Sequence, residues 1–235
     1  MGLTLELWLE NRSAEQTYLF TVEQADVNGL LLQSHFAATM EPDTIGQETL
    51  FFLENGQREP GKPTRIGLHF QVMEADSLET VSEHTLTLFP NGEDQVTLYE
   101  RQEQPSDIVL ASYEKVQIRQ IDKSDNGSLE LFFCNEGDEP VLILVEQEEE
   151  PAETETQPAT EETTQPTTQD PSQPSTEDGA EQMWAQNRTV LLSVLLPAHT
   201  CAYRTVTPET AMPLAVRGFH PEGMQELFDQ RDILP

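Results

Sequence analysis

The amino-acid sequence predicts an all-β protein that contains two copies of one sandwich or barrel domain. Apolar and polar residues alternate in its first segment, where Leu5, Leu7 and Leu9 are separated by polar residues or tryptophan. Turn dipeptides follow several short apolar runs, at Asn28-Gly29, Asn55-Gly56, Asn91-Gly92 and Asn126-Gly127. No segment keeps a helical period, and the best helical candidate, residues 77–83, covers only one or two turns. Short strands separated by turn signals are typical of sandwiches and barrels.

Four blocks of sequence recur in the same order, which predicts the repeat. The first-copy blocks are residues 5–11, 18–24, 36–42 and 68–78, and they match residues 129–135, 141–147, 191–197 and 214–224. Each copy then closes with an apolar stretch, at 86–90 and 232–235. One matching block could arise by chance, but four in the same order indicate duplication. We therefore expect domains at 1–95 and 107–235, joined by a link at 96–106.

The second copy contains an insertion of low complexity. Gln24 and Pro42 are 18 positions apart, whereas their counterparts Gln147 and Pro197 are 50 apart. The additional residues are those of the tract 148–182, which has no aromatic residue, no Leu, Ile or Val, and no basic residue. Such a composition buries too little apolar surface to offset the entropy of ordering. We expect a disordered acidic loop inside the second domain.

The segment 108–121 predicts an extra strand before the second copy, with no counterpart before the first copy. A sandwich that lacks this strand has an edge with free N–H and C=O groups, which favours association. We expect a native first strand encoded upstream of Met1. The alternatives are that residues 95–101 or a second molecule fill the gap, and self-association through the edge is one expected outcome.

The pattern from Glu10 to Ser13, followed by 22–29 with its Val-Asn-Gly turn, resembles a family of uncharacterised immunoglobulin-like β-sandwich domains. These domains occur, often in tandem, in secreted and envelope proteins of Gram-positive bacteria. Residues 99–131, with Val116-Gln-Ile118, are similar to that family's link between copies. The resemblance implies two tandem immunoglobulin-like sandwiches and an extracellular or cell-envelope location, with no catalytic residue or ligand. The second copy departs from the pattern because it lacks the Val-Asn-Gly turn.

Charge and hydropathy limit the partners of the chain. Its 43 acidic residues outnumber its 12 lysines and arginines, for a formal net charge of −31. This charge repels nucleic-acid phosphates and anionic lipid surfaces. The longest apolar run, 190–196, is too short to span a membrane. We expect a protein or glycan partner at the cell surface, no nucleic-acid partner, and no membrane insertion by this segment.

The sequence identifies no catalytic, cofactor-binding or metal-binding residue. Residues 122–127 resemble the start of an EF-hand loop, but Phe133 occupies the position of the bidentate Glu, which favours a polar hairpin turn. The five histidines (His35, His69, His84, His199 and His220) show no metal-ligand spacing, and His69 is expected on a solvent face. A disulfide between Cys134 and Cys201 is an alternative, although the pattern favours two free or buried thiols.

Three classes of function are therefore considered. A non-catalytic structural or interaction module is favoured, a carbohydrate- or small-ligand-binding module is the alternative, and a hydrolytic domain is less favoured. Carbohydrate binding requires an exposed aromatic platform. Of the two tryptophans, Trp8 matches Phe132 in the repeat, so both are expected in cores, whereas Trp184 lies at the end of the acidic tract.

Overall fold

The structure is a computed structural model that describes residues 3–53, 59–148, 188–210 and 212–233. Within these residues it consists of strands and one 3₁₀ turn at Glu93–Gln95, so the all-β prediction is confirmed. The first seven strands are β1 (Thr4–Asn11), β2 (Tyr18–Val27), β3 (Leu30–His35), β4 (Ala37–Met40), β5 (Thr44–Leu53), β6 (Ile66–Glu74) and β7 (Thr80–Leu88). The remaining strands are β8 (Ile108–Tyr113), β9 (Val116–Lys123), β10 (Leu129–Asn135), β11 (Val141–Glu148), β12 (Arg188–Leu196), β13 (Thr200–Val206), β14 (Leu214–His220) and β15 (Gln225–Ile233).

Strands β1 to β7 enclose the first core between two antiparallel layers. One layer has the order β7-β6-β2, with β4 and β3 both pairing with β2, and the other has the order β1-β5-β3. Strand β3 joins both layers because it follows β2 through the two-residue turn Asn28-Gly29 and then pairs with β5. Both turn residues have positive φ, 55° and 83°, as a type I′ hairpin turn requires. Residues buried between the layers include Val22, Leu50 and Phe52.

Strands β8 to β15 form a sandwich of two four-stranded layers, one ordered β8-β9-β10-β13 and the other β12-β11-β14-β15. The alternating side chains of both layers meet in one core that includes Ile118, Leu131, Ile143 and Val216, none of which is exposed. Phe133 is the largest side chain that is fully buried there.

The strand pairing of the first half recurs in the second half. The pairs β1–β5, β2–β4, β2–β6 and β6–β7 correspond to β10–β13, β11–β12, β11–β14 and β14–β15, all antiparallel. Tyr18 lies opposite Met40, and its counterpart Val141 lies opposite Leu196. The structure therefore matches Met40 with Leu196, one residue away from the sequence match of 36–42 with 191–197. The repeat blocks at 5–11 and 129–135 thus occupy equivalent strands. From this agreement we propose the two domains 1–95 and 107–235.

Two buried asparagines end the equivalent strands β1 and β10. The Asn11 carboxamide donates to the carbonyls of Gln16, Met40 and Glu41 and accepts from the N–H of Ser13. Asn135 donates to the carbonyls of Glu139, Leu196 and Pro197 and accepts from the N–H of Gly137. Asn11 therefore ties the end of β1 to the segment before β2 and to the end of β4, and Asn135 ties the end of β10 to the segment before β11 and to the end of β12.

The two halves meet along β3 and β13. A single parallel bridge joins Leu30 to Cys201, and the N–H of Cys201 donates to the carbonyl of Gly29 at 2.7 Å. A Cβ atom at Gly29 would lie 2.6 Å from the backbone carbonyl oxygen of His199, so the two chain segments are in direct contact. Leu31 is buried in the core of the second sandwich. The junction is thus a packed interface that includes one backbone bridge between β3 and β13.

The expected link, 96–106, packs along this junction. The hydroxyls of Tyr99 and Tyr203 lie 2.7 Å apart, and the backbone N–H of Tyr99 donates to the carbonyl of Asn28. Arg101 forms a bidentate pair with Asp107 and lies over the ring of Phe132, 5.6 Å from its centroid. The link therefore contacts both halves of the molecule.

Two sequence interpretations require correction, and two others lie outside the described residues. Residues 108–121 are not one strand: β8 and β9 form a hairpin that turns at Glu114, whose φ is 47°. The helical candidate 77–83 is a turn followed by the start of β7, because Leu78 with φ 57° breaks any helix. The acidic tract, apart from Glu148 at the end of β11, and the Asn55-Gly56 turn lie outside the described residues.

Candidate functional site

One edge of β1 is unpaired in the part of the chain that the structure describes. Strand β1 pairs with β5 alone, whereas its counterpart β10 pairs with β13 on one side and with β9 on the other. The carbonyl of Leu3 accepts from the N–H of Phe52 at 3.0 Å, which sets the backbone direction of the strand. Because that direction alternates along a strand, the N–H and C=O groups of Thr4, Glu6, Trp8 and Glu10 point away from β5. These four residues form the free edge.

Residues 95–101 do not fill this gap. The N–H of Tyr99 donates to the carbonyl of Asn28, and the N–H of Thr97 donates to the hydroxyl of Thr64, so the segment follows the turn after β2. The expectation of an unpaired first-domain edge therefore agrees with the pairing of the described strands.

The inner face of β1 is less covered than the inner face of β10. Leu5, Leu7 and Leu9 are only half-buried, although they occupy the positions of Leu129, Leu131 and Phe133. Those three counterparts have no exposed surface. The difference follows from β9, which places Val116 and Ile118 over the core beside β10 and has no equivalent beside β1.

The outer face of the same layer carries an exposed apolar patch. We call Trp8, Ile45, Phe51 and Leu53 the outer patch, and their side chains are 72%, 65%, 52% and 37% exposed. They share one face, because the even positions of β1 pair with the odd positions of β5, as Trp8 does with Gln47. Isolated exposed apolar residues are common, but a cluster on one face is typical of a contact surface.

Trp8 was expected in the core, and this expectation is wrong. Its counterpart Phe132 is buried because Tyr203 lies 4.9 Å from its ring and the guanidinium of Arg101 covers it. Tyr203 on β13 corresponds to Gln47 on β5, which lies opposite Trp8 but is not aromatic, and Arg101 comes from the link, which has no equivalent over Trp8. The repeat predicted the position of Trp8 in the strand, but not what packs on that face.

Carboxylates border the outer patch. Glu6 accepts a hydrogen bond from the Gln47 side chain at 2.7 Å, and Glu10 pairs with Arg12 at 2.8 Å. The hydrogen bond from Arg12 lowers the pKa of Glu10 below its ordinary value. Both carboxylates flank Trp8 on the same face of β1. The free edge and the outer patch together offer backbone hydrogen-bonding groups, apolar surface and negative charge.

A second candidate surface is a cleft of about 390 Å³ at one end of the second sandwich. Its lining includes Glu114, Lys115, Glu139, His220 and Leu227. His220 Nε2 lies 3.1 Å from a carboxylate oxygen of Glu139, so the ring is already engaged by a neighbour. Mixed polar and apolar lining of this size could hold a small polar ligand.

Two groups of buried charged residues are accounted for by their partners. Glu146 lies within 3.5 Å of Arg188 and Arg217 on the second sandwich, forming a charged network. At the junction, Asp26 accepts from Arg65 and from the N–H of Gly29, while its burial raises its pKa. Buried charges require such pairing, so both groups have a structural explanation.

The thiols of Cys134 and Cys201 face each other across the pair β10–β13 and are free. A hydrogen bond from Cys201 lowers the pKa of Cys134, whereas the same bond raises the pKa of Cys201. Of the histidines, His69 is half-buried, with its ring nitrogens 3.9 Å and 3.7 Å from carboxylates of Glu23 and Glu83. Among the described residues, no group of three or more His, Cys, Asp or Glu side chains is arranged to hold a metal ion.

The hairpin turn between β9 and β10 is the segment that resembled an EF-hand. The N–H of Gly127 donates to the carbonyl of Ser124, and the N–H of Ser128 donates to the side chain of Asn126. Its polar side chains thus stabilise the turn itself.

Comparisons with solved structures give distant likenesses, of which one is described below. No protein-family model matches the chain, and no curated protein matches it significantly. The CsuC–CsuE chaperone–tip adhesion subunit pre-assembly complex from archaic chaperone-usher Csu pili of Acinetobacter baumannii matches at 11% identity with a TM-score of 0.27. The match covers 96% of this chain and 90% of that chain. At this TM-score the likeness supports no inference about function. No helix in the described ranges is long and apolar enough to cross a membrane.

Proposed function

We propose that the chain is a non-catalytic interaction or structural module that binds a protein partner through the first sandwich. The observation that supports this most strongly is the outer patch, which places four large apolar side chains on one exposed sheet face. When a partner covers such residues, their removal from water contributes about 25 cal/mol of binding free energy for each Å² of apolar area buried. Aromatic residues are also the type enriched at the centres of protein interfaces.

An extracellular or cell-envelope location belongs to the same proposal. Its support is the resemblance of residues 10–13, 22–29 and 99–131 to tandem immunoglobulin-like domains of Gram-positive secreted proteins. The formal net charge of −31 suits a surface module that stays soluble and avoids anionic lipid. Fractionation of the source cells into envelope, medium and cytosol tests the location, and a cytosolic pool alone would contradict it.

The experiment for the interaction uses a photo-crosslinking amino acid at Trp8 or Phe51 in intact source cells. Val81 on β7 is the control site, because it is a similarly exposed apolar residue on a different layer. We expect one crosslinked protein from both patch positions and none from Val81. The substitution Phe51→Glu should abolish crosslinking from Trp8, since a charge in the patch prevents desolvation. Equal products from all three positions would contradict an interface at the outer patch.

Carbohydrate binding is the alternative, and the exposure of Trp8 favours it. Trp8 and Phe51 lie on one sheet face, separated by four positions along the strand, which is about 13 Å. Exposed aromatic rings on a flat face can stack against sugar rings. A glycan array followed by titration of any hit separates this function from protein binding. Binding that Trp8→Ala abolishes and Val81→Ala retains would establish the alternative.

Small-ligand binding in the cleft near His220 and hydrolysis by an unrecognised site have less support. A thermal-shift screen with small polar metabolites tests the cleft, with Lys115→Ala as the variant that removes a lining charge. A broad hydrolase screen tests catalysis, and we expect no turnover above the background of a heat-inactivated sample.

A further inference from the structure

We propose that the free edge of β1 is a strand-acceptor site, filled by an extended segment of another protein in place of the strand that the sequence predicts upstream of Met1. The segment binds antiparallel to β1, with apolar residues at alternate positions facing the core and basic residues on the outer side. This inference rests on the proposed interaction function and names the kind of partner that the first sandwich accepts.

The second sandwich contains the template for this complex. Strand β9 occupies the corresponding edge of β10 in antiparallel register, with Ile118 opposite Phe133 and Val116 opposite Asn135. Because β1 and β10 are equivalent in their pairing and in their terminal asparagines, the same register places apolar residues opposite Leu9 and Asn11. Strand β9 covers the edge beside Leu129, Leu131 and Phe133, and these three residues are fully buried.

An added strand would increase the burial of the inner face of β1. Leu5, Leu7 and Leu9 are half-buried and lie beside the open edge of the core. An added strand would cover these leucines and pair the free N–H and C=O groups of the four edge residues. Apolar burial and backbone hydrogen bonds together are the basis of binding by strand addition.

Electrostatics favours basic residues on the outer side of the bound segment and disfavours a second copy of this chain as the partner. In the template, Arg119 stands opposite Phe132, the counterpart of Trp8. A basic residue opposite Trp8 would lie diagonally from Glu6 and Glu10, where opposite charges attract. Antiparallel pairing of two β1 strands centred on Trp8 would instead place Glu6 opposite Glu10. Two chains of formal charge −31 also repel each other at long range.

The test uses a peptide with the sequence of residues 115–123, acetylated and amidated, which carries Val116 and Ile118 at alternate positions and a net positive charge. Fluorescence anisotropy of the labelled peptide with the full chain should show saturable binding. A peptide with Ile118→Asp, which loses the inward apolar residue, should not bind. Amide hydrogen exchange should show new protection at Thr4, Glu6, Trp8 and Glu10. The intervening amides already face β5 and should change little.

Two variants test the backbone hydrogen bonds. Glu6→Pro removes an N–H that faces the free edge, where proline is tolerated, and should weaken binding roughly three- to tenfold, the effect of one hydrogen bond. The matched control Glu6→Thr also lacks the carboxylate but retains the N–H, so it should bind more tightly than Glu6→Pro. A peptide N-methylated at Gln117 and Arg119, opposite Cys134 and Phe132 in the template, tests the same bonds without altering the protein.

Several results would overturn the strand-acceptor site. These are the absence of saturable peptide binding, protection at another strand, and equal binding by the N-methylated peptide. Concentration-dependent dimerisation in sedimentation that Glu6→Pro abolishes would assign the edge to a second copy instead. Crosslinking from the outer patch is an independent measurement. If crosslinking persists while the peptide fails, the strand acceptor is wrong and the interaction function is retained.

Discussion

Replacement of the buried asparagine at the end of β10 should destabilise the protein substantially. Asn135 is 1% exposed, and its carboxamide contacts the carbonyls of Glu139, Leu196 and Pro197 at 2.8, 3.3 and 3.1 Å and the N–H of Gly137 at 2.9 Å. Asn135→Ala removes all four interactions at once. Each buried hydrogen bond contributes about 1 kcal/mol net, and an unpaired buried partner adds a desolvation cost.

The structure sets the magnitude of this loss. The amide has two N–H groups for three carbonyls, so the carboxamide makes about three full hydrogen bonds. Pro197 retains a donor after the substitution, because the hydroxyl of Thr200 lies 2.8 Å from its carbonyl. We therefore expect Asn135→Ala to lower the free energy of unfolding by about 2–3 kcal/mol. Asn135→Asp should cost more at neutral pH, since a carboxylate would face the same carbonyl oxygens without a donor.

The repeat supplies an internal replicate at Asn11, which is 3% exposed and makes the same four contacts. The hydroxyl of Thr44 bonds the carbonyl of Glu41 at 2.6 Å, as Thr200 bonds that of Pro197. Asn11→Ala should therefore cost about the same free energy as Asn135→Ala. Asn126→Ala, in an exposed turn, is the control and should stay within about 0.5 kcal/mol of the native chain.

Urea unfolding followed by circular dichroism measures all of these variants. Losses below about 1 kcal/mol at both buried positions would refute the hydrogen-bond argument. A large loss at only one of them would refute the energetic equivalence of the two strands.

Three further predictions concern the junction and the thiols. Alkylation of the folded protein should modify Cys134 before Cys201, because their hydrogen bond lowers the pKa of Cys134 and raises that of Cys201. Mass spectrometry of quenched samples checks the order, and equal rates of modification would contradict it. The pKa of Asp107 is lowered to about 2 by its arginine partner, so its stabilising effect is complete above the ordinary carboxyl pKa near about 4 and is lost as pH falls toward 2. The difference in thermal midpoint between the native chain and Asp107→Asn should shrink across that interval, and a constant difference would contradict the pairing. Gly29→Ala, with φ 83° and a carbonyl 2.6 Å from the new Cβ, should lower the free energy of unfolding by more than about 2 kcal/mol. Gly127→Ala, with φ 84° and no contact within 4 Å, should lower it by only about 1–2 kcal/mol. Similar losses in both variants would mean that the backbone at the junction shifts to accommodate the new Cβ.

The proposed repeat is visible in the sequence because its signals are local and occur twice. Alternation at Leu5, Leu7 and Leu9 specifies a strand with one apolar face, and the Asn28-Gly29 turn specifies a hairpin. The unpaired edge of β1 was also predictable, because an extra strand-forming segment precedes only the second copy. The helical candidate near Leu78 failed because a short apolar pattern does not distinguish a turn followed by a strand from a helical turn.

The sequence by itself determined the all-β class, the order of the repeated blocks and the edge that lacks a neighbour. These features depend on alternation and turn chemistry within a few residues. Only the tertiary structure decided that Trp8 is exposed while Phe132 is buried, and that Leu31 enters the core of the other sandwich. Burial of a sheet face depends on what packs against it, here Arg101 and Tyr203 from distant segments, and a strand's own residues do not encode that covering.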